Sequence, residues 1–548
     1  MERHSIQFAF PRASAGLAAV LFLAGCAGGQ RTAGGAGEVA AGKFAPKGPP
    51  AANYGPDPAR TCPPTAIGRT MTLTGYVASD TADQARDLQK PAPQADGRLC
   101  AVAESLLGWD ERQPVPEIVR AFVGFHHGVP TTVPRVVLAT VQDVENPRDL
   151  ATRLDEVVMQ YVRSAAGQVR YGIASAPGAR GGTRLSLVMQ EPQFEMEPFP
   201  RKMDPKVDAT LSGRLLGPLE NAKVLVSDPR GKLEQPESKP GKEFRVPVSC
   251  DGRTGRMAVE IRAERQGQAE VVANFPVACG TELSTAVDVP APGDPAQKER
   301  AIFEQINAER TEAGIPALKW DDKVAQVARS VSESEAKSGG GGSATAGLGD
   351  RLKAAGIASP IVLANPAATR TAEEAQWRFS LSPVYRANYM STDATIAGVG
   401  VANGKDPQGG NVAFVTELFV RELSKMDVST VAPKLRETIN KRRASAGMPA
   451  FKEDPVLEKI AQEYAQALAS GNGNINDAKH SQIVNPLYRT FRTVDFLSGA
   501  KADPMEFADE KAVITSKEKA MGVGVAQGNH PVLGKNATYV VLLFGTRK

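Results

Sequence analysis

Imidazole is scarce in this chain. Its 548 residues include 5 histidines, and His4 stands in the N-terminal stretch, which reads as a segment removed on export. So few rings exclude a histidine-rich metal centre, and no Ser-His-Asp set can be assembled from them. Thiols are equally few: the 5 cysteines show neither zinc-ligand nor redox-motif spacing. An excess of charge of one sign is missing too. The net charge is +4 with acids and bases interspersed, which excludes a nucleic-acid partner. Long apolar runs are absent as well. The longest uncharged apolar stretch, Ala13 to Ala24, is about a dozen residues against the ~20 a spanning helix needs.

That short run decides the address. It comes after Arg3 and Arg12 and ends Leu23-Ala24-Gly25-Cys26. A basic start, a short apolar core and small residues before a cysteine read as a lipoprotein signal peptide over 1–25, with lipidation at Cys26. Several acyl chains at ~0.8 kcal/mol per buried methylene would hold a stable membrane anchor. Ala27, rather than Asp, succeeds the modified residue and points to the outer membrane of the cell envelope, on its periplasmic or surface side. Removing Cys26 leaves Cys62, Cys100, Cys250 and Cys279, for which three pairings are open. Cys62–Cys100 and Cys250–Cys279 are favoured because each pair falls within one apparent domain, and export supplies an oxidising compartment.

Composition divides the rest. Residues 26–60, rich in Gly, Ala and Pro, read as a flexible tether. Residues 61–198 read as an α/β domain, with helices Leu99 to Trp109, Pro116 to His127 and Asn146 to Val162. Its strands are Arg135 to Val141 and a hairpin of Val169 to Ser175 with Thr183 to Gln190. Residues 199–206 mark a boundary. Residues 207–284 present short alternating runs separated by turns, the pattern of an immunoglobulin-like β-sandwich. Pro290 to Pro295 forms the next linker.

The last 250 or so residues contain a duplication. INAERTEAGIPALKWD from Ile306 aligns with INKRRASAGMPAFKED from Ile439. Gly314 and Gly447 stand where a left-handed helix cap is wanted. Gly398-Val-Gly-Val-Ala402 matches Gly522-Val-Gly-Val-Ala526, each leading into a late strand. Helices first and a hairpin last predict tandem α-β-α sandwiches, making the whole an α+β multidomain chain.

At these residues a family resemblance emerges. INAERTEAGIPALKWDDKVAQVAR resembles the opening of CAP-superfamily domains, also called SCP-like or cysteine-rich secretory protein domains. GDRLKAAGI from Gly349 resembles their third helix, LSPVYRANYM from Leu381 their SPGHRANIL motif, and IAGVGVANG from Ile396 their IGVGVA strand. The resemblance covers 291–424, and a degenerate second copy at 429–548. Residues 61–198 end YGIASAPGARGG before an apolar strand, which leaves a third, eroded copy as the alternative to an unrelated domain.

The resemblance implies a cleft with two histidines and one or two acids, which binds a divalent metal in some members. This sequence departs from it. Tyr385 replaces the histidine of HRAN, the other histidine's place falls in Ser338 to Ala346, and the acid of GEN falls near Ala364-Asn365. No histidine lies between 291 and 424. His480 keeps the first histidine's place in the second copy, where DEKAVITS from Asp509 replaces the second. No metal and no other cofactor are expected. Gly339 to Gly342 lacks the Lys-Ser/Thr of a phosphate loop. The His126-His127 pair reads as a helix end, and His530 as a turn residue.

The expected function is a non-enzymatic envelope lipoprotein whose CAP-like domains form a binding scaffold for a lipid, peptide or cell-wall ligand. Tyr385, Trp377, Asn388 and His480 are the candidate cleft-lining residues, while Trp320 reads as core. The alternatives are a hydrolase acting on peptide or cell wall, and a structural role in envelope assembly.

Overall fold

The structure, a computed structural model, describes residues 42–62, 73–131, 134–142, 147–178, 181–291, 293–341 and 345–548. The expected signal peptide and lipidation position, Cys26, lie outside the described residues. The chain forms two compact units. The first comprises residues up to Asp294 with Ala308–Pro316 and Thr369–Ser391; the second comprises Pro295–Asn307, Ala317–Ala368 and Thr392–Lys548.

In the first unit, the expected strand Arg135–Val141 and hairpin Arg170–Pro177/Thr183–Gln190 form, together with helices Gly97–Leu106, Glu117–His126 and Pro147–Ser164. A helix at Leu73–Asp87 was not anticipated. Its apolar positions are sparse, yet Leu73, Val77 and Ala85 are buried. The sheet runs Gln94–Ala95, Arg170–Pro177, Thr183–Gln190, Arg135–Val141, its first pair parallel. Because side chains alternate along a strand, Val188 faces a core with Leu99, Val102 and Phe122. Leu187 faces the opposite core, with Val77, Leu154 and Val158. The domain is an α-β-α sandwich.

The sheets of the second unit have the same connectivity. One runs Lys319–Trp320, Ile396–Lys405, Asn411–Val420, Val362–Thr369; the other runs Lys452–Glu453, Ala520–His530, Gly534–Arg547, Phe491–Lys501. In all three the two-residue strand is parallel to its neighbour. In all three an aspartate after that strand caps the next helix: Asp96, Asp321 and Asp454 accept from Arg98, Val324 and Val456 backbone N–H groups. A Cβ on Gly172, Gly398 or Gly522 would fall about 2 Å from the backbone of that helix, against Leu99, Ala325 and Leu457 respectively. The N-terminal domain therefore shares its sheet order and helix-capping aspartate with the other two.

The duplicated Ile-Asn-x-x-Arg stretches staple their turns alike. Asn307 exchanges hydrogen bonds with Leu318, and Asn440 with Phe451. Arg310 and Arg443 donate to the carbonyls of Pro316 and Pro449, each at 2.9 Å. Gly314 and Gly447 take φ of 67° and 72°, as the left-handed cap requires.

Between the first sheet and the CAP-like region, a three-stranded and a five-stranded sheet enclose Leu211, Val224, Val246, Met257, Ile261 and Phe275. Both favoured disulfides are present, Cys62–Cys100 and Cys250–Cys279. Three expectations need correction. Lys202–Met203, inside the supposed boundary at 199–206, pairs in parallel with Ala278 and Cys279, so the boundary residues belong to the sandwich. Residues 42–60 do not behave as tether. Lys43–Phe44 pairs with Val287–Asp288, Asn53–Tyr54 pairs with Phe199–Pro200, and Tyr54 is fully buried with its hydroxyl donating to Pro276 O at 2.7 Å. Two aromatic anchors outweigh the Gly/Pro composition that suggested flexibility. Finally, the helices Ala372–Leu381 and Pro383–Tyr389, expected within a 291–424 module, group with the first unit.

Candidate functional site

Three of the four predicted cleft residues sit on that helix pair, and Trp377 and Tyr385 pack on neighbouring rings. Thr371 starts the first helix by accepting from Glu374 N–H, and Pro383 starts the second. Trp377 stacks near-parallel on Phe125 with centroids 6.3 Å apart and meets Phe122 edge-on at 6.2 Å. It packs against both the sandwich core and the N-terminal core. Tyr385 meets Phe379 edge-on at 5.1 Å. Burial, with Glu260 adding to it, raises the pKa of this phenol. Asn388 is half-buried, and its carbonyl accepts from Ser391 N–H.

The residues that fix this segment are ones sequence reasoning passed over. Arg386, inside the quoted YRAN, is 2% exposed. It donates to Ser227 Oγ (3.1 Å), Asp228 O (2.6 Å) and Pro229 O (3.1 Å) at the end of a sandwich strand. The Asp228 carboxylate is held by Arg253. Tyr389 donates to Glu309 Oε2 at 2.7 Å, and Arg256 donates to the same oxygen at 2.5 Å. Burial alone would lower the Arg256 pKa; Glu309 and Tyr389 more than offset it, and the pKa rises. Arg378 grips Glu117 through two bonds of 2.9 and 2.6 Å, and buried Glu374 accepts from Glu117 N–H at 2.8 Å. The Arg256–Glu309 pair is largely shielded, so removing one partner would strand a charge, whereas Arg378 is nearly half exposed. The only sequence signal for them was the presence of Arg386 and Glu309 within motif stretches.

The acid missing near Ala364-Asn365 is supplied by a neighbouring strand. Asn365 Nδ2 donates to Glu417 Oε2 at 2.9 Å, and both side chains are fully buried. Cross-strand register places Glu417 opposite Val399, as Leu542 is opposite Val523 and Leu187 opposite Ile173. The other two domains thus carry leucine where this one buries a carboxylate.

The histidine pair of the N-terminal domain is buried. Arg60 Nη1 and Ser105 Oγ lie 2.8 Å from His127 Nδ1 and Nε2. A guanidinium can only donate, so Nδ1 accepts and the proton sits on Nε2, aimed at Ser105. The Ser-His couple is therefore oriented against base activation of the serine. Burial first, then His126, Arg60 and Arg201, lowers the His127 pKa to about 3. His126 Nε2 donates to Gly48 O at 2.9 Å.

His480, the fourth candidate, lies in the second unit, in the helix Asp477–Val484. Its Nδ1 is 2.9 Å from Tyr464 Oη, and the Tyr464, His480 and Phe496 rings meet edge to face at 4.8–6.1 Å. His480 is half-buried and Phe496 is 38% exposed, so the cluster reaches solvent. His530 accepts from Val532 and Leu533 N–H groups and organises its turn. Trp320 lies under Arg300, whose guanidinium carbon is 3.8 Å from the ring centroid. Among the described residues, no three His, Cys, Asp or Glu side chains are gathered so as to hold a metal ion. In the first unit a groove of about 1460 Å³ is bordered by Arg98, Arg170, Arg214, Phe194 and Met196. Arg98, Arg170 and Arg214 are paired with Asp96 and Glu195.

No curated protein matches the chain. Among solved structures, an outer surface protein of Borrelia burgdorferi is 20% identical, with 23% of this chain and 100% of that chain covered and a TM-score of 0.20. An extracellular SCP-domain protein of Bacillus anthracis is 15% identical (46% and 81% covered, TM-score 0.20). A cysteine-rich secretory protein of Staphylococcus aureus is 12% identical (49% and 90% covered, TM-score 0.20). The sequence model of the Cysteine-rich secretory protein family, CAP, matches residues 303–419 and 436–543. Two tandem regions, 303–419 and 436–543, thus match the cysteine-rich secretory protein family.

Proposed function

We propose that this is an envelope lipoprotein, anchored through Cys26 in the outer membrane, that acts without catalysis as a binding scaffold for a lipid, peptide or cell-wall ligand. One observation carries the reading, the ring cluster of the second CAP domain that reaches solvent, because the motif-bearing helices of the first are committed to packing. Trp377 is stacked on Phe125, and Arg386 is sunk into the end of the sandwich. Residues so engaged cannot also grip a ligand. The His480, Tyr464 and Phe496 cluster keeps partial exposure and is the place we assign to ligand contact, with ring faces for an apolar portion and an oriented imidazole for a polar one. The family's association with secreted proteins agrees with an exported location.

The test is titration of the full chain with muropeptide, an extended peptide and phospholipid vesicles, alongside His480→Ala and Phe496→Ala. The reading expects one ligand class to bind and both variants to weaken it by tenfold or more. Turnover of any of these substrates that disappears in His480→Ala would favour the hydrolase reading instead.

A further inference from the structure

Residues 45–50, Ala-Pro-Lys-Gly-Pro-Pro, cross the surface between two buried anchors, Phe44 and Tyr54. Four polar contacts close the stretch down. Lys47 N–H donates to Ser105 Oγ at 3.0 Å, and Lys47 Nζ pairs with Glu104 at 2.8 Å. Gly48 O accepts from His126, and Pro49 O accepts from Arg60 Nη2 at 3.4 Å. Arg60 is in turn held by Asp57 at 3.3 Å and by His127 Nδ1. Below this lid the two imidazoles lie 4.9 Å apart, nearly perpendicular.

The contact between Arg60 and His127 exists only while His127 is neutral. A proton on Nδ1 would set donor against donor and cation against cation. The charged groups acting on the pair are Arg60, Arg201 and the neighbouring imidazole; none of these would stabilise a second positive charge. Once Arg60 leaves, Pro49 O loses its donor.

We infer that residues 45–50 form an acid-opened lid, released when His127 takes a proton and expels Arg60, which uncovers Ser105 and both imidazoles while the Cys62–Cys100 disulfide keeps the strap attached. The released imidazole regains its ordinary affinity for protons, so the open state gains population as pH falls below about 6.5. The closed state of His127 resists protonation down to about 3, which leaves a window between these values in which opening is driven.

Hydrogen exchange of the full chain from pH 7.5 to 4.5, corrected for intrinsic rates, tests this. Protection over Lys43–Tyr54 should fall by up to tenfold per pH unit below about 6.5, while the hairpin Arg170–Gln190 stays protected. His127→Gln, which can still accept from Arg60 and donate to Ser105, should flatten the pH dependence to the part that His126 contributes. Should that variant fail to fold, Arg60→Gln should leave the segment loosened at every pH. Flat wild-type protection to pH 4.5, an undiminished slope in His127→Gln, a pH-dependent loss in Arg60→Gln as steep as in wild type, or loss shared with the hairpin would each overturn the lid.

Discussion

The two CAP domains differ most in the segment that leaves the edge strand of each sheet. In the second, Pro504–Asp509 and Lys511–Thr515 are short and stay with their own core, where Phe507, Ala508 and Val513 pack with Leu435 and Ile439. Arg443 binds the carbonyls of Val513, Ile514 and Ser516. In the first, the same arginine position, Arg310, binds the carbonyls of Tyr389 and Ser391. The intervening segment has grown into two helices that pack on the sandwich and on the N-terminal domain through Trp377, Arg378 and Arg386. One device anchors a domestic turn in one copy and a joining element in the other. A duplicated fold can thus keep its internal staples while its most variable segment is recruited to hold neighbours.

The comparison can be broken from either side. The largest effect is expected from placing a carboxylate where the second sheet has leucine. Leu542→Glu should cost about 4 kcal/mol or more, because no partner matches it. In the first sheet, Glu417→Leu alone removes the acceptor of the buried Asn365 amide and should cost more than the double change Asn365→Leu/Glu417→Leu. Chemical denaturation of Leu542→Glu, and of the two single changes and the double change at Asn365 and Glu417, measures both. Next, Arg386→Ala should cost about 3–5 kcal/mol by stranding buried carbonyl groups, and Trp377→Ala about 3 kcal/mol through cavity formation. Each should destabilise the sandwich with the N-terminal domain, as read by two-probe unfolding. Smaller is the effect at Asp155, whose pKa burial, helped by Asp80, raises from 3.8 to about 7. An acid with a raised folded-state pKa contributes stability at low pH that is lost as pH climbs through the folded value. The N-terminal domain should therefore weaken between about pH 4 and pH 7, and Asp155→Asn should flatten that slope by on the order of 2 kcal/mol. His480→Ala should shift stability by less than about 1 kcal/mol, its consequence appearing in binding.

Periodicity made the regular parts legible. Arg135–Val141 and Thr183–Gln190 form over the residues expected, and Gly314 and Gly447 adopt their left-handed caps because the AGxP turns demand it. The third domain was harder to read: Ala174 stands where the other copies have the second glycine of GVGV, so the motif reads as broken although the small residue still packs beneath the helix. The strap failed composition because two aromatic residues among glycines and prolines decide its fate. The candidate site was least visible. Tyr385, Trp377 and Asn388 were found from the motif, but whether they face ligand or neighbour depends on residues such as Phe125 and Ser227, more than 150 positions away by sequence. Glu417 escaped notice because hydrogen bonding across strands, not spacing, brings it to Asn365.

The motif helices of the first CAP domain join modules rather than line an open cleft, and acrylamide quenching of Trp377, as the sole tryptophan after Trp109→Phe and Trp320→Phe, tests this most directly. Weak quenching is predicted, rising only when the sandwich unfolds and unchanged on adding ligand. Quenching near that of free indole in the folded protein, relieved by a bound ligand, would contradict it.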